Sequence, residues 1–271
     1  MRPVGVPSFI AQHNQPREIL EQQLPQIRAR LQKMHGARPD VSVVIPAYNE
    51  EDSILKTLSS LSASVTNRSF ELIVVNNNSH DRTALLAAGA GAICIPEPVQ
   101  GITAARNAGL QAAKGRLVLN ADADTLYPPG WINLMTQPLE QPAVALTYGA
   151  YAFLPSQGTP RMVYFGYEGI TVLSRWLNKT FREEAVNVYG FNSGFRREEA
   201  LAVNGFDHPP GANEDGWLAL KLRNGFSKKL HAVSDARALV WTTDRRIQAD
   251  GGLVKGIFKR IKRHGKALSS A

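Results

Sequence analysis

The sequence predicts an α/β protein built on a mostly parallel central sheet. Three observations predict it. Short apolar runs alternate with amphipathic helical stretches between residues 41 and 148. The first four apolar runs each stop at a crowd of polar residues. And 44% of the 271 residues are hydrophobic, enough to bury a sizeable core.

Residues 1–15 carry Pro3, Gly5 and Pro7 without periodicity, which predicts a loosely held arm. From Leu20 onward, Leu20, Leu24, Ile27, Leu31 and Met34 repeat at spacings of four and three. That is one apolar helical stripe, kinked or restarted at Pro25. Val41–Ile45 reads as a buried strand closed by Pro46. Ile54, Leu55, Leu58 and Leu61 form a helix face. Phe70–Val75 is a second strand, followed by a helix over residues 80–88. Ala92–Ile95 is a short third strand, residues 102–113 a helix, and Arg116–Asn120 a fourth strand. Val144–Tyr148 adds another. Beyond residue 150 the pattern weakens. It still predicts helices near 161–178, 197–203 and 214–224, and extended chain near 187–195 and 229–241.

Open α/β sheets bind ligands at the carboxyl ends of their strands. That rule selects Ala47-Tyr48-Asn49-Glu50, Asn76-Asn77-Asn78-Ser79, Glu97–Gly101 and Asp122-Ala123-Asp124. The last of these holds two carboxylates one residue apart at a strand end, where they can share a face. Hard cations such as Mg²⁺ or Mn²⁺ take oxygen ligands, usually one or two carboxylates completed by substrate phosphates. A lone Asp-x-Asp more often caps a helix or makes a turn. Likewise, the Glu214-Asp215 pair opens a helical pattern and could simply cap it.

Taken in order, these segments resemble glycosyltransferase family 2, the inverting transferases of the GT-A fold. VSVVIPAYNEEDSILKTLSSL is similar to the family's first strand and helix. FELIVVNNNSHDRT resembles its second nucleotide-binding segment. GITAARNAGLQAAKGRLVLNADAD resembles the helix and strand that deliver the metal-binding Asp-x-Asp. GFNSGFRREEALAVNGFDHPPGANEDGWLALKLRNG resembles the acceptor-side segment. The resemblance covers residues 40–242 and implies a Rossmann-like central sheet flanked by helices, with helical extensions at both ends. The implied division is 1–39 (arm and amphipathic helix), 40–242 (transferase domain, with halves 40–150 and 151–242) and 243–271 (basic C-terminal helix).

The resemblance further implies that Pro46, Tyr48, Asn49, Glu50, Asn76 and Asn78 hold the base and ribose. Arg106 would lie near the nucleotide, and Asp122 and Ala123 against the donor. Asp124 would be the direct ligand of a divalent cation, with Asp122 sharing the metal pair but closer to the ribose. Asp215 would be the catalytic base. Glu214 would raise its pKa and help bind the donor, while Asn192, Ser193 and Gly194 would line the donor-sugar and acceptor cleft. The family often has Asp where this chain has Asn76. An amide can accept from the uracil imide N–H and donate to a neighbouring carbonyl, but it cannot grip guanine's two adjacent N–H groups as a carboxylate would. A uridine or thymidine diphosphate sugar is therefore favoured over a guanosine one, with a UDP-sugar as the favoured donor. The absence of Gln-x-x-Arg-Trp implies a non-processive enzyme.

The remaining features bound the setting. The formal net charge is +8, with the excess near the C-terminus. Leu253, Val254, Ile257, Phe258 and Ile261 share one helical face among Lys and Arg residues. Residues 251–266 would suit an anionic membrane surface and a lipid-linked acceptor, or would pack on the domain. A glycan acceptor is the alternative to a lipid-linked one. The single Cys94 and the lack of a signal-peptide core predict a cytoplasmic protein. No nucleic-acid signature accompanies the charge, so no nucleic-acid partner is expected. A sugar nucleotidyltransferase would need a Gly-rich phosphate loop where PAYNEE stands. The other alternative is a catalytically degenerate transferase fold that only binds nucleotide.

Overall fold

The computed structural model describes residues 3–36, 38–155, 160–245 and 248. Ten short strands are placed: β1 Val41–Ala47, β2 Phe70–Asn76, β3 Ile93–Pro96, β4 Leu117–Asn120, β5 Thr125–Leu126, β6 Val144–Tyr148, β7 Tyr151–Phe153, β8 Ser193–Arg196, β9 Lys229–Ala232 and β10 Val240–Thr242. The α-helices are α1 Ser8–Ala11, α2 Arg17–Gln22, α3 Leu24–Met34, α4 Ile54–Ser62, α5 Thr83–Gly89, α6 Ile102–Ala112, α7 Trp131–Thr136, α8 Arg161–Phe181, α9 Arg197–Ala202 and α10 Glu214–Gly225.

Seven strands form the main sheet in the order β3-β2-β1-β4-β8-β6-β9. Only β8 runs antiparallel to its neighbours; the pairings β3–β2, β2–β1, β1–β4 and β6–β9 are parallel. Chain order reverses direction at β1, which leads to β2 on one side and has β4 on the other. The crevice at the carboxyl ends of β1 and β4 is thus the topological switch point, where such sheets bind ligands.

Strand alternation explains why helices cover both faces. Val43 and Ile45, Leu72 and Val74, and Leu117 and Leu119 enter one core with Leu20, Ile27 and Leu31 of α2 and α3 and Leu58 of α4. Val44, Ile73, Val75 and Val118 enter a second core with Leu110 of α6, Ala200 of α9 and Leu218 of α10. A period of two places successive residues on opposite faces, so a run that is apolar throughout needs cover on both.

Two elements differ from the sequence-based expectation, and a third follows it. Strand β1 continues through Pro46 to Ala47. Its pairing with β4 ends at Val44, so proline's missing N–H costs no ladder bond there. The first residues are not a loose arm as far as they are described. Ile10 is fully buried with Leu126, Ala152 and Trp241 under a second, three-stranded sheet, β5-β10-β7, and the His13 ring bonds Ser59 Oγ at 2.8 Å. The stripe from Leu20 does restart at Pro25: α2 ends at Gln22 and α3 takes Pro25 in its first turn, where no N–H is needed.

Among the described residues no helix is long and apolar enough to cross a membrane. Helix α8 nevertheless exposes Met162, Ile170, Leu173, Trp176 and Phe181. The basic segment 251–266, and most of the predicted 243–271 extension, lie outside the described residues.

Candidate active site

The loops after β1 and β2 are tied into one unit. Asn49 N–H donates to Ser79 Oγ at 3.1 Å, and its side-chain oxygen accepts from His80 N–H at 2.9 Å. Glu50 N–H donates to Thr83 Oγ1 at 2.8 Å. Asn49 and Asn78 both hold positive φ, 53° and 64°, which asparagine tolerates better than most residues. Tyr48 stands out from this unit, 47% exposed. Asn76 ends β2, and its Oδ1 accepts from Ser79 N–H at 3.3 Å. Asn77, passed over in the sequence, has a structural task. It is 4% exposed, donates to the carbonyls of Glu97 and Val99, and accepts from Gly101 N–H. It thereby fixes the loop that leads into α6.

That helix carries Arg106, buried to 2% exposure at the floor of the crevice. Its guanidinium donates to the Ala121 carbonyl at 3.0 Å and to Asp122 Oδ1 at 2.6 Å. Burial works against its charge, but Asp122, Asp215 and Glu214 outweigh it, so the group stays cationic. Asp122 is oriented from its backbone as well. Its N–H donates to Tyr127 Oη at 2.9 Å, and that hydroxyl donates to the Phe191 carbonyl at 3.0 Å.

Asp124 faces a different cation. Its Oδ2 accepts from Thr243 Oγ1 at 2.7 Å and from Arg245 at 2.9 Å. The same Arg245 nitrogen reaches both oxygens of Glu50, at 2.6 and 2.7 Å. Burial pushes the Glu50 carboxyl up, and its hydrogen bonds from Arg245 and Ser53 pull it back. Two carboxylates from different loops thus converge on one positive nitrogen. This is a hard-oxygen donor set, so it fits a divalent cation bound through one or two carboxylates and completed by phosphate oxygens. Among the described residues no cluster of three or more His, Cys, Asp or Glu could form an all-protein cage.

Opposite the aspartate pair lies Asp215, on the first turn of α10. Asn213 caps this helix: its side chain accepts from Gly216 N–H at 2.9 Å. Asp215 is therefore not needed as a cap. It is 6% exposed and sits 3.9 Å from Arg106 Nε. Its Oδ1 is buried without a hydrogen-bond partner. Burial drives its pKa up to about 7; Arg106 pulls down, while Glu214 and Asp122 push up. Glu214 thus acts on Asp215 in the expected direction. Gly190 makes this arrangement possible, since a Cβ there would lie 2.3 Å from Arg106 and 2.6 Å from both Asp215 oxygens. One small cleft is lined by Arg106, Asp122, Gly190, Phe191, Glu214 and Asp215.

Four predicted contact residues face inward instead. Asn192 is 1% exposed, its amide spent on Trp131 Nε1 and the Ala150 carbonyl, both at 2.8 Å. Ser193 is buried on β8 beside Asn120. Gly194 lets β8 close on Leu119, whose Cδ2 would be 2.4 Å from a Cβ. These three support the cleft wall from behind, and the neighbouring Gly190 and Phe191 line it. Ala123 has its methyl in the core, and its carbonyl accepts from Thr57 at 2.8 Å. It spaces the two aspartates rather than facing a ligand. Arg245, conversely, had no signal in the sequence, because it follows β10 far along the chain from the carboxylates it joins.

The comparisons agree with this architecture. The chain is similar over 164 residues to glycosyltransferase AglE of Haloferax volcanii, at 28% identity, covering 58% of this chain and 54% of that protein. It thus spans about half the length of that relative. Among solved structures, the mannosyltransferase of Pyrobaculum calidifontis in complex with GDP-Man and Mn²⁺ aligns with a TM-score of 0.58 at 20% identity, over 94% of this chain and 75% of the other. Glucosyl-3-phosphoglycerate synthase of Mycobacterium tuberculosis, in complex with Mn²⁺, UDP-glucose and phosphoglyceric acid, aligns at 0.52 and 24% identity, over 78% and 73%. These likenesses show the GT-A fold. The family model described as "Glycosyl transferase family 2" matches residues 42–200, more than half of the sequence, and the chain therefore belongs to that family.

Proposed function

We propose that the chain moves a sugar from a UDP-sugar to an acceptor hydroxyl with inversion, one sugar per encounter, using Asp215 as general base. The observation that carries this reading is the buried carboxylate of Asp215, whose Oδ1 has Arg106 Nε at 3.9 Å but no hydrogen bond, on a residue that lines the cleft together with Asp122 and Arg106. A base with a pKa near the working pH is suited to proton transfer.

In the reaction, Asp215 takes the acceptor hydroxyl proton as that oxygen forms its bond to the anomeric carbon. The bond from the anomeric carbon to the diphosphate oxygen breaks, and its electron pair leaves with UDP. Asp215 approaches from the acceptor face, which is what inversion requires. Arg106 holds Asp122 in place and limits how far the Asp215 pKa rises. Asp124 and Glu50 would hold a Mg²⁺ or Mn²⁺ ion, which supplies positive charge to the departing diphosphate. Tyr48, Asn49, Asn76 and Asn78 line the base end. The uridine preference rests on Asn76, whose single amide oxygen suits one imide N–H. The acceptor is a glycan or lipid-linked hydroxyl.

Release of UDP from a panel of UDP-sugars, with and without mixed acceptors, tests the proposal. Wild type releases UDP with at least one donor in the presence of Mn²⁺. Asp215→Asn binds UDP normally and turns over far more slowly. Equal turnover in the variant would remove Asp215 as the base.

A further inference from the structure

The Glu50–Asp124 carboxylates are already partly neutralised by this chain's own Arg245. We infer that Arg245 is a resident counter-cation that competes with the metal in the nucleotide-free protein and binds the diphosphate once metal and nucleotide enter; this rests on the donor site proposed above.

The geometry points both ways along this exchange. A single guanidinium nitrogen contacts both Glu50 oxygens and Asp124 Oδ2 at 2.6–2.9 Å. A divalent cation wants those same oxygens. The two cations cannot share one position, so metal binding must expel the guanidinium. The expelled group cannot travel far, because the two residues that precede it are anchored beside the site. Thr243 Oγ1 donates to Asp124 at 2.7 Å, and Asp244 is buried in a hydrogen bond from Tyr164 of α8. The Arg245 side chain is half exposed, at 52%. It therefore swings at the rim of the crevice, beside the carboxylates that would carry the metal-bound diphosphate. A planar guanidinium matches phosphate oxygens two at a time. Arg106 cannot take this role, since it is buried and committed to Asp122 and the Ala121 carbonyl.

The exchange predicts effects of opposite sign in one variant. Arg245→Gln should bind Mn²⁺ alone more tightly than wild type, by about tenfold, because the internal competitor is gone. It should bind UDP in saturating Mn²⁺ more weakly, also by about tenfold, because a charge-assisted phosphate contact is gone. Free Mn²⁺ is read by electron paramagnetic resonance, and UDP by calorimetry. Arg245→Lys keeps the charge without the fork and should lie between the two on the Mn²⁺ measurement. Thermal melts report whether each variant is folded. Mn²⁺ affinity that is unchanged or weaker in a folded Arg245→Gln or Arg245→Lys protein overturns the inference, as does unchanged UDP affinity. Asp124→Ala separates this from the donor-site reading. If Asp124→Ala abolishes Mn²⁺-dependent UDP binding while Arg245→Gln behaves as wild type, only the role of Arg245 falls. If Asp124→Ala binds UDP and Mn²⁺ as wild type does, the donor site itself is misassigned.

Discussion

Replacing Gly190 by alanine should be far more damaging than its size suggests. The added Cβ would lie 2.3 Å from Arg106 and 2.6 Å from both carboxylate oxygens of Asp215. None of these atoms can yield cheaply, because both side chains are buried and Arg106 is held by Asp122 and the Ala121 carbonyl. Gly190 does not have a positive φ, so backbone strain plays no part. Ordinary overpacking costs about 1–3 kcal/mol, and pulling apart a buried charged pair adds to that, towards a total of about 2–4 kcal/mol. For a protein of this size that corresponds to a fall in Tm of about 3–7 °C. Gly166→Ala is the control. It sits in α8 with nothing within 4 Å of its would-be Cβ, and should raise stability by about 1 kcal/mol through helix propensity. Thermal melts of the two variants give the answer. A Gly190→Ala protein that melts with or above wild type would refute the close packing of Gly190, Arg106 and Asp215.

Other outcomes follow from the same geometry. Asp215→Asn should lower turnover by about 10²–10⁴-fold while leaving UDP affinity within a factor of about 3; steady-state kinetics and calorimetry check both. Because the folded pKa of Asp215 is raised to about 7, its base form appears only as pH rises through that value, so kcat/KM should climb to a plateau above pH 7. The same shift has a stability sign. The folded state holds the proton more tightly than the unfolded one, so the stabilisation present below pH 4 is lost as pH rises towards 7, and Asp215→Asn should flatten that slope in melts. Asn77→Ala leaves the buried Gly101 N–H and two carbonyls without their partner, which should cost about 1–3 kcal/mol and speed hydrogen exchange in residues 97–101.

The parts of this molecule that the sequence disclosed are those with periodicity or local motifs. Strands β1, β2 and β4 are mostly apolar because both faces are covered, with Ser42 and Glu71 buried in a mutual hydrogen bond, and alternation with helices made their parallel order readable. Asp122, Asp124 and Asp215 were visible because each follows or opens a regular element at the ligand-binding end of the sheet. What stayed hidden depends on contacts between distant segments. Strands β5, β7 and β10 have two or three residues each, too few to show a period, and so the small sheet that buries Ile10 and Trp241 had no signal. Asn192 stands in a segment resembling a substrate-binding one, yet only the fold reveals Trp131 and Ala150 claiming its amide. Asn213 rather than Asp215 caps α10, a distinction that needs coordinates. Arg245 reaches Glu50 across 195 residues of chain, and no local pattern encodes that contact.

The most direct test of the central claim is a thermal-shift screen of nucleoside diphosphates, each with and without Mn²⁺, because a ligand that binds only the folded state raises its melting temperature. The account predicts a shift with UDP that requires Mn²⁺ and disappears in Asp124→Ala. A shift with GDP alone would contradict the reading of Asn76, and no metal-dependent shift with any nucleotide would contradict the donor site itself.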